Sequence, residues 1–115
     1  LFREYENWFI LPRQTKETYT PWLAVPLVVR DNAPFTRRQL QLHFEDQGIQ
    51  TRTVFTGNIL RQPGFSDIDC RTSDAGYPNA DQVMRGGLLL GCHQGMGADE
   101  TEIIESAFKS FVETI

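Results

Sequence analysis

The sequence predicts an α+β fold, a small and mostly antiparallel sheet with helices packed on one face. Stretches with apolar residues at helical spacing alternate with short β-rich runs, in the order helix, strand, helix, strand, loop, short helix, strand, helix. The 115 residues suffice for a single domain, 1–115, with one modest core. With 40% hydrophobic and 23% charged residues, the composition excludes disordered and fibrous architectures.

Leu1, Phe2, Tyr5, Trp8 and Phe9 recur at helical spacing until Pro12, so 1–12 reads as the end of an amphipathic helix that begins upstream. This, with the missing initiator Met, leads to the expectation that the chain is a C-terminal fragment cut from a longer protein. Cut from its neighbours, it is expected to expose Leu1, Phe2, Trp8 and Phe9 as a patch and to self-associate. Trp22 to Val29 is a β-rich run interrupted by Pro26, which cannot donate to a ladder and so calls for a sheet edge or a bulge. Thr36 caps the next helix with Gln39 in a capping box, and Leu40 and Phe44 share a face. Gly48 ends this helix, with Ile49 placed to fold back on Phe44 in a Schellman motif. Ile49 to Phe55 follows as a strand whose alternate residues Ile49, Thr51, Thr53 and Phe55 share one face.

Residues 66–79 carry Asp67, Asp69, Ser73, Asp74, Gly76 and Pro78 with little apolar periodicity and read as an exposed loop. Asn79 caps a short helix through Met84, and Leu88 to Cys92 is a buried strand. Ile104, Ala107, Phe108, Phe111, Val112 and Ile115 form the stripe of a last helix that begins after Gly97.

Eleven Lys and Arg against fifteen Asp and Glu leave a net charge of -4, the wrong sign for a protein that binds by neutralising nucleic-acid phosphates. No apolar run approaches the roughly 20 residues of a membrane span, which points to a cytoplasmic protein with no membrane partner. Cys70 and Cys92 are too few and too far apart for a disulfide framework or a metal site and are expected as free thiols.

No catalytic motif is complete. There is no glycine-rich phosphate loop followed by Lys, no nucleophile elbow and no histidine pair one helical turn apart. GGLLLG flanks a strand and lacks the strand-turn-helix setting of a dinucleotide site. The densest chemistry lies in RTVFTGNILRQPGF, where Arg52, Asn58, Arg61 and Gln62 surround a strand exit. They either converge on a phosphate or sugar hydroxyl, or form a turn with Asn58 left-handed and both arginines solvated. His93, after the buried strand, either reaches a cleft for proton transfer or satisfies a local backbone partner. His43 reads as surface, and Trp8 and Trp22 as core or interface anchors.

The segments NWFILPRQT, PWLAVPLVVR, TRTVFTGNILRQPGF and YPNADQVMRGGLLLGCHQGM together resemble the C-terminal part of the DegT family of pyridoxal-phosphate-dependent aminotransferases. The similarity is greatest to its branch of CDP-4-keto-6-deoxyglucose 3-dehydratases of lipopolysaccharide biosynthesis. The resemblance implies the C-terminal small domain of a PLP-dependent transferase fold, packed beside its own N-terminal large domain in a homodimer. It implies a nucleotide-linked 4-keto-6-deoxy sugar as substrate and C-3 dehydration as the reaction, or transamination in a sugar aminotransferase of the same family. Pyridoxal or pyridoxamine phosphate would be the electron sink in the full-length enzyme. The groups that hold the cofactor belong to the large domain, so the fragment itself is expected to bind none and to be inactive. Cys70 and Cys92 do not match the family's iron-sulfur pattern, and no metal ligand set is present. Carried over by position, Asn58, Arg61 and Gln62 line the substrate side of the cleft with Arg52 beside them. His93 stands nearer the reacting carbons as the one catalytic candidate. Gly97 departs from the family, where Thr often caps the last helix. A stand-alone α+β ligand-binding module of ferredoxin-like topology is the competing architecture.

Overall fold

Four short strands share one antiparallel sheet in the computed structural model, which covers residues 1–115. They are β1 (Phe9–Ile10), β2 (Ala24–Val29), β3 (Thr51–Thr53) and β4 (Gly87–Gly91), in the spatial order β1-β2-β4-β3. Phe9 pairs with Val29, Leu27 with Leu88, and both Val25 and Thr51 with Leu90. Since side chains alternate along a strand, this register gathers Phe9, Val25, Leu27, Val29, Thr51, Leu88 and Leu90 on one face. Helices α1 (Arg37–Asp46) and α3 (Ala98–Val112) bury that face with Leu40 and Phe44 from α1 and Ala107, Phe108 and Phe111 from α3. The remaining helix, α2 (Pro78–Gly86), packs apart from these two, against β2 and β4.

Helix α1 forms where the sequence places it. Thr36 Oγ1 accepts from the Gln39 N–H at 3.3 Å, and Gln39 Oε1 accepts from the Thr36 N–H at 2.8 Å. At its end Gly48 has φ of +75° and its N–H donates to the Glu45 carbonyl at 2.9 Å. The Ile49 N–H donates to the Phe44 carbonyl at 2.8 Å, which completes a Schellman motif. Glycine at position 97 has no side chain to cap α3, so only the return bond exists: the Gly97 N–H donates to Glu100 Oε2 at 2.7 Å. The predicted stripe on α3 faces the core from Ile104 to Val112, but Ile115 lies beyond the helix and is exposed.

Residues 1–12 do not form a helix end. They make a 3-10 turn at Phe2–Tyr5 and then β1. The apolar spacing is satisfied by rings instead: Phe2 lies 5.5 Å from Phe9 and 5.0 Å from Phe108, Tyr5 5.0 Å from Phe108, and Trp8 5.7 Å from Phe35. A tight turn brings the same positions to one side that a helix would, and the edge of β2 offers Phe9 and Ile10 ladder partners that an isolated helical turn lacks. The expected apolar patch is therefore not exposed, because Phe9 is fully buried and Leu1, Phe2 and Trp8 are half-buried against the core. Trp22, by contrast, is 40% exposed.

Three further boundaries shift. The second strand starts at Ala24, leaving Leu23 exposed, and it is interior. Its Pro26 is tolerated because β1 reaches only Val28 and Val29, so β2 is still an edge where the missing N–H would be asked for. The strand predicted over Ile49 to Phe55 shrinks to Thr51–Thr53, since Ile49 serves the helix end and Phe55 leaves the ladder with φ of 46°. Helix α2 begins with Pro78 at its first position and Tyr77 as N-cap, so Asn79 lies inside the first turn. Residues 66–77 are exposed and without helix or strand, as the composition predicts.

His43 is not the surface residue the sequence suggests. It is half-buried between α1 and α3, with Nε2 2.9 Å from the Ala107 carbonyl and 3.0 Å from Ser110 Oγ. Its ring centroid is 5.3 Å from that of Phe111. No helix of the structure is long and apolar enough to cross a membrane.

Phe108 is fully buried and touches the rings of Phe2, Tyr5 and Phe9. Phe108→Ala is expected to lower unfolding free energy by about 3–5 kcal/mol, measured by denaturant melts. A loss below about 1 kcal/mol would show that the N-terminal segment does not depend on this contact.

Candidate functional site

The chain leaves β3 through a turn that sets the course of the next segment. The Gly57 N–H donates to the Val54 carbonyl at 3.0 Å, and Gly57 has φ of +67°. A Cβ at this position would run into Met84, so glycine is what lets the segment pass directly over α2.

That close approach delivers Asn58 and Arg61 to one carboxylate. Asn58 is buried, with 5% exposure, and is extended at φ of -97°, not left-handed. Its Oδ1 accepts from the Leu60 N–H at 3.1 Å, while Nδ2 donates to Asp81 Oδ1 at 2.7 Å. Arg61 grips the same carboxylate in a fork, Nε to Oδ1 at 3.1 Å and Nη2 to Oδ2 at 3.0 Å. Gln62 donates to the Thr56 carbonyl at 3.1 Å, with Met84 Sδ 3.9 Å away. The turn reading does not hold, because Asn58 is extended, not left-handed, and Arg61 is paired with Asp81 instead of solvated.

Asp81 is the residue that sequence reasoning missed. It lies in the first turn of α2, within the NADQVM segment, and 20 residues separate it from Arg61. An acidic residue in a helix's first turn explains itself through the macrodipole, so nothing local advertised a second partner. The Arg61 guanidinium, then the Asn58 amide, hold the Asp81 carboxyl down at about 2. The pairing raises the Arg61 pKa in turn. A fork on the Nε edge leaves the outer Nη1 and Nη2 edge of Arg61 unused, and the side chain remains 62% exposed.

Arg52 and His93 lie elsewhere, in a groove of about 730 Å³ walled by Leu23, Leu89, Met96 and Ile103. The His93 Nδ1 accepts from the Gly95 N–H at 3.1 Å, so the neutral ring carries its proton on Nε2. Glu100, in the same groove, has its carboxyl held low mainly by the Gly97 N–H, with the nearby His93 adding to the effect. Gln62 faces a second depression of about 280 Å³, together with Arg37 and Thr56. The two depressions share Thr53 and Phe55 as a common wall. The structure thus joins Asn58, Arg61 and Gln62 around α2, joins Arg52 to His93, and sets the Thr53–Phe55 corner between Gln62 and the His93 groove. Cys70 is exposed, Cys92 is half-buried, and both are unpaired.

The sequence profile of the DegT/DnrJ/EryC1/StrS aminotransferase family matches residues 1–109. The lipopolysaccharide biosynthesis protein RfbH of Salmonella typhimurium is 26% identical over 101 residues, which is 88% of this chain and 23% of that protein. The dTDP-4-dehydro-2,6-dideoxy-D-glucose 3-dehydratase of Saccharopolyspora spinosa is 29% identical over 103 residues, 90% of this chain and 22% of the relative. In fold, the chain matches the E. coli GDP-4-keto-6-deoxy-D-mannose-3-dehydratase with bound hydrated PLP at a TM-score of 0.78 and 20% identity. That match covers 92% of this chain and 27% of the other. A DegT DnrJ EryC1 StrS aminotransferase from Brucella abortus matches with a TM-score of 0.76 at 13% identity, over 96% of this chain and 28% of the other. The chain therefore spans less than a quarter of the length of these two curated relatives.

The depressed Asp81 pKa makes the fold acid-sensitive in a defined window. Because the folded value is below the ordinary 3.8, the stabilisation is fully present above about pH 4 and is lost as pH falls towards 2. Carboxyl titration followed by NMR should place the Asp81 midpoint near 2, moving back towards 3.8 in Arg61→Ala. An unchanged midpoint in that variant would remove Arg61 as the cause.

Proposed function

Since the chain belongs to the DegT/DnrJ/EryC1/StrS aminotransferase family, we propose that it is the C-terminal small domain of a cytoplasmic, homodimeric nucleotide-sugar 3-dehydratase. The whole protein would remove the 3-hydroxyl of a nucleotide-linked 4-keto-6-deoxy sugar in deoxysugar and lipopolysaccharide biosynthesis. The similarity to RfbH and to a dTDP-sugar 3-dehydratase supports this over transamination and over a free-standing binding module.

Pyridoxal or pyridoxamine phosphate would supply the electron sink. Residues 1–115 do not fit as its cradle. The two lysines, Lys16 and Lys109, are exposed and paired with Glu17 and Glu105, and neither lines the groove or the depression that hold the candidate site residues. The N-terminal large domain would therefore hold the cofactor, and this domain would contribute contacts to the substrate.

The observation that carries the assignment is the fork on Asp81. It aims the guanidinium without consuming its outer edge, so Arg61 offers two parallel donors of the geometry a phosphate takes. Asn58 spends one amide bond on the Leu60 N–H and one on Asp81 and acts by holding Asp81 in place, which makes it a positioning residue. Gln62 keeps its amide oxygen for a sugar hydroxyl, and Arg52 adds positive charge on the groove side. His93, with Nδ1 occupied by Gly95, would donate from Nε2 to the departing hydroxyl.

In the full-length enzyme Arg61→Ala should raise KM by about ten- to a hundredfold, the range for a lost hydrogen bond to a charged group, and Arg61→Lys should not restore it. His93→Ala should lower kcat more than it raises KM. Normal kinetics with reduced stability in both variants would make these residues turn and packing elements only. Purified 1–115 should also retain no cofactor absorbance after dialysis, and retention would contradict the division of labour between the domains.

A further inference from the structure

Phe55 is held in a conformation that its own side chain disfavours. It has φ of 46°, a region where a bulky residue is an outlier, and its ring is 88% exposed and takes no part in the core. The backbone around it is tied down at each step. The Phe55 N–H donates to the Thr53 carbonyl at 2.9 Å, Thr53 Oγ1 donates to the Phe55 carbonyl at 3.1 Å, and Gly57 closes the turn on Val54. Glu17, the other non-glycine residue at positive φ, is a solvated charge in an exposed turn and leaves no apolar surface open to water. If the turn alone mattered, glycine or asparagine would serve at position 55 with less strain. Strain kept at an exposed aromatic points to a use for the ring.

Its position says what the use is. Phe55 lines the groove that holds His93 and also the depression that holds Gln62. A ligand whose phosphates lie towards Arg61 and Gln62 and whose reacting carbon lies towards His93 has to cross this ridge. The part between phosphate and reacting carbon is the sugar ring, and a 6-deoxy sugar presents, beside its ring C–H groups, a methyl in place of a hydroxymethyl. We propose that Phe55 is a substrate-specificity residue whose ring packs on the apolar face of the 6-deoxy sugar. This rests on the function proposed above and deepens it. Phe55 would disfavour sugars that keep the 6-hydroxyl, whose polar group would lose water against the ring without gaining a partner.

The test uses the full-length enzyme with Phe55→Asn and Phe55→Tyr. Asparagine accepts the left-handed backbone, so the variant should melt at or above the wild-type temperature. It should also show KM for the 6-deoxy-4-keto nucleotide sugar raised about tenfold, the scale of a lost apolar contact. Phe55→Tyr should stay within about threefold of wild type, on the same argument that the ring face is retained. Affinity for the free nucleoside diphosphate should be unchanged in both. An unchanged KM in Phe55→Asn would overturn the proposal. So would an equal loss of nucleoside diphosphate affinity, which would put the ring on the base, or a lowered melting temperature or altered subunit assembly, which would make it an interface anchor. Arg61→Ala separates the two claims. If it raises KM while Phe55→Asn does not, only the role of Phe55 falls, and if neither matters the proposed substrate falls with it.

Discussion

Helix α2 runs into β4 without a connecting residue, and two glycines make that junction possible. A Cβ at Gly86 would run into the Val29 carbonyl oxygen, and one at Gly87 would stand 2.9 Å from Val54 Cγ2. Neither glycine is in the left-handed region, so their role is close approach and not an unusual φ. The junction seats the C-terminal end of α2 against the central strands β2 and β4, and the first turn of the helix then has one place to be. Asp81 stands in that turn, Asn58 and Arg61 close on it, and Gly57 lets them reach it across Met84. Most of the candidate site geometry thus descends from backbone contacts that exclude side chains.

Ion pairing adds little to this positioning. Arg85 on α2 meets Asp31 after β2 at 3.1 Å, but both side chains are more than half exposed, and such pairs contribute about 0–1 kcal/mol. The Arg61–Asp81 fork is better organised because Asn58, itself buried, fixes the same Oδ1 that accepts from Arg61 Nε. On the opposite side of the molecule the work is done by rings. Phe35 lies 5.0 Å from Phe111, and Phe108 collects three aromatic neighbours, so α3 is fastened to both the N-terminal segment and the loop before α1. His43 belongs to that seam, with its Nε2 on α3.

The charge distribution fits a domain that meets an anion locally while remaining acidic overall. The net charge is -4, and Asp67, Asp69 and Asp74 are exposed in the loop between the Arg61 segment and α2. Against this background Arg61, neutralised on one edge by Asp81, is a directional donor and not a diffuse attractor. Recognition of a phosphate would then depend on geometry more than on long-range steering, which falls off within about 10 Å at ordinary salt.

Much of the fold was legible in the sequence wherever a local rule acts alone. Thr36 with Gln39, and Gly48 with Ile49, set the two ends of α1 through contacts within a few residues, and the stripe on α3 announces its buried face. The α+β class and the antiparallel sheet emerged from the order of such segments, and the family from the resemblance of four sequence stretches. What only the tertiary structure decided involves partners far apart in the chain. Residues 1–12 carry helical spacing but pair with β2, because a strand edge about 20 residues away offers hydrogen bonds that a short helix end cannot match. His43 reads as surface until α3 lies against it. The site shows the same division: Asn58, Arg61 and Gln62 stood out as chemistry, but Asp81, which organises two of them, is meaningful only once Gly57 and the Gly86–Gly87 junction bring α2 beneath the turn.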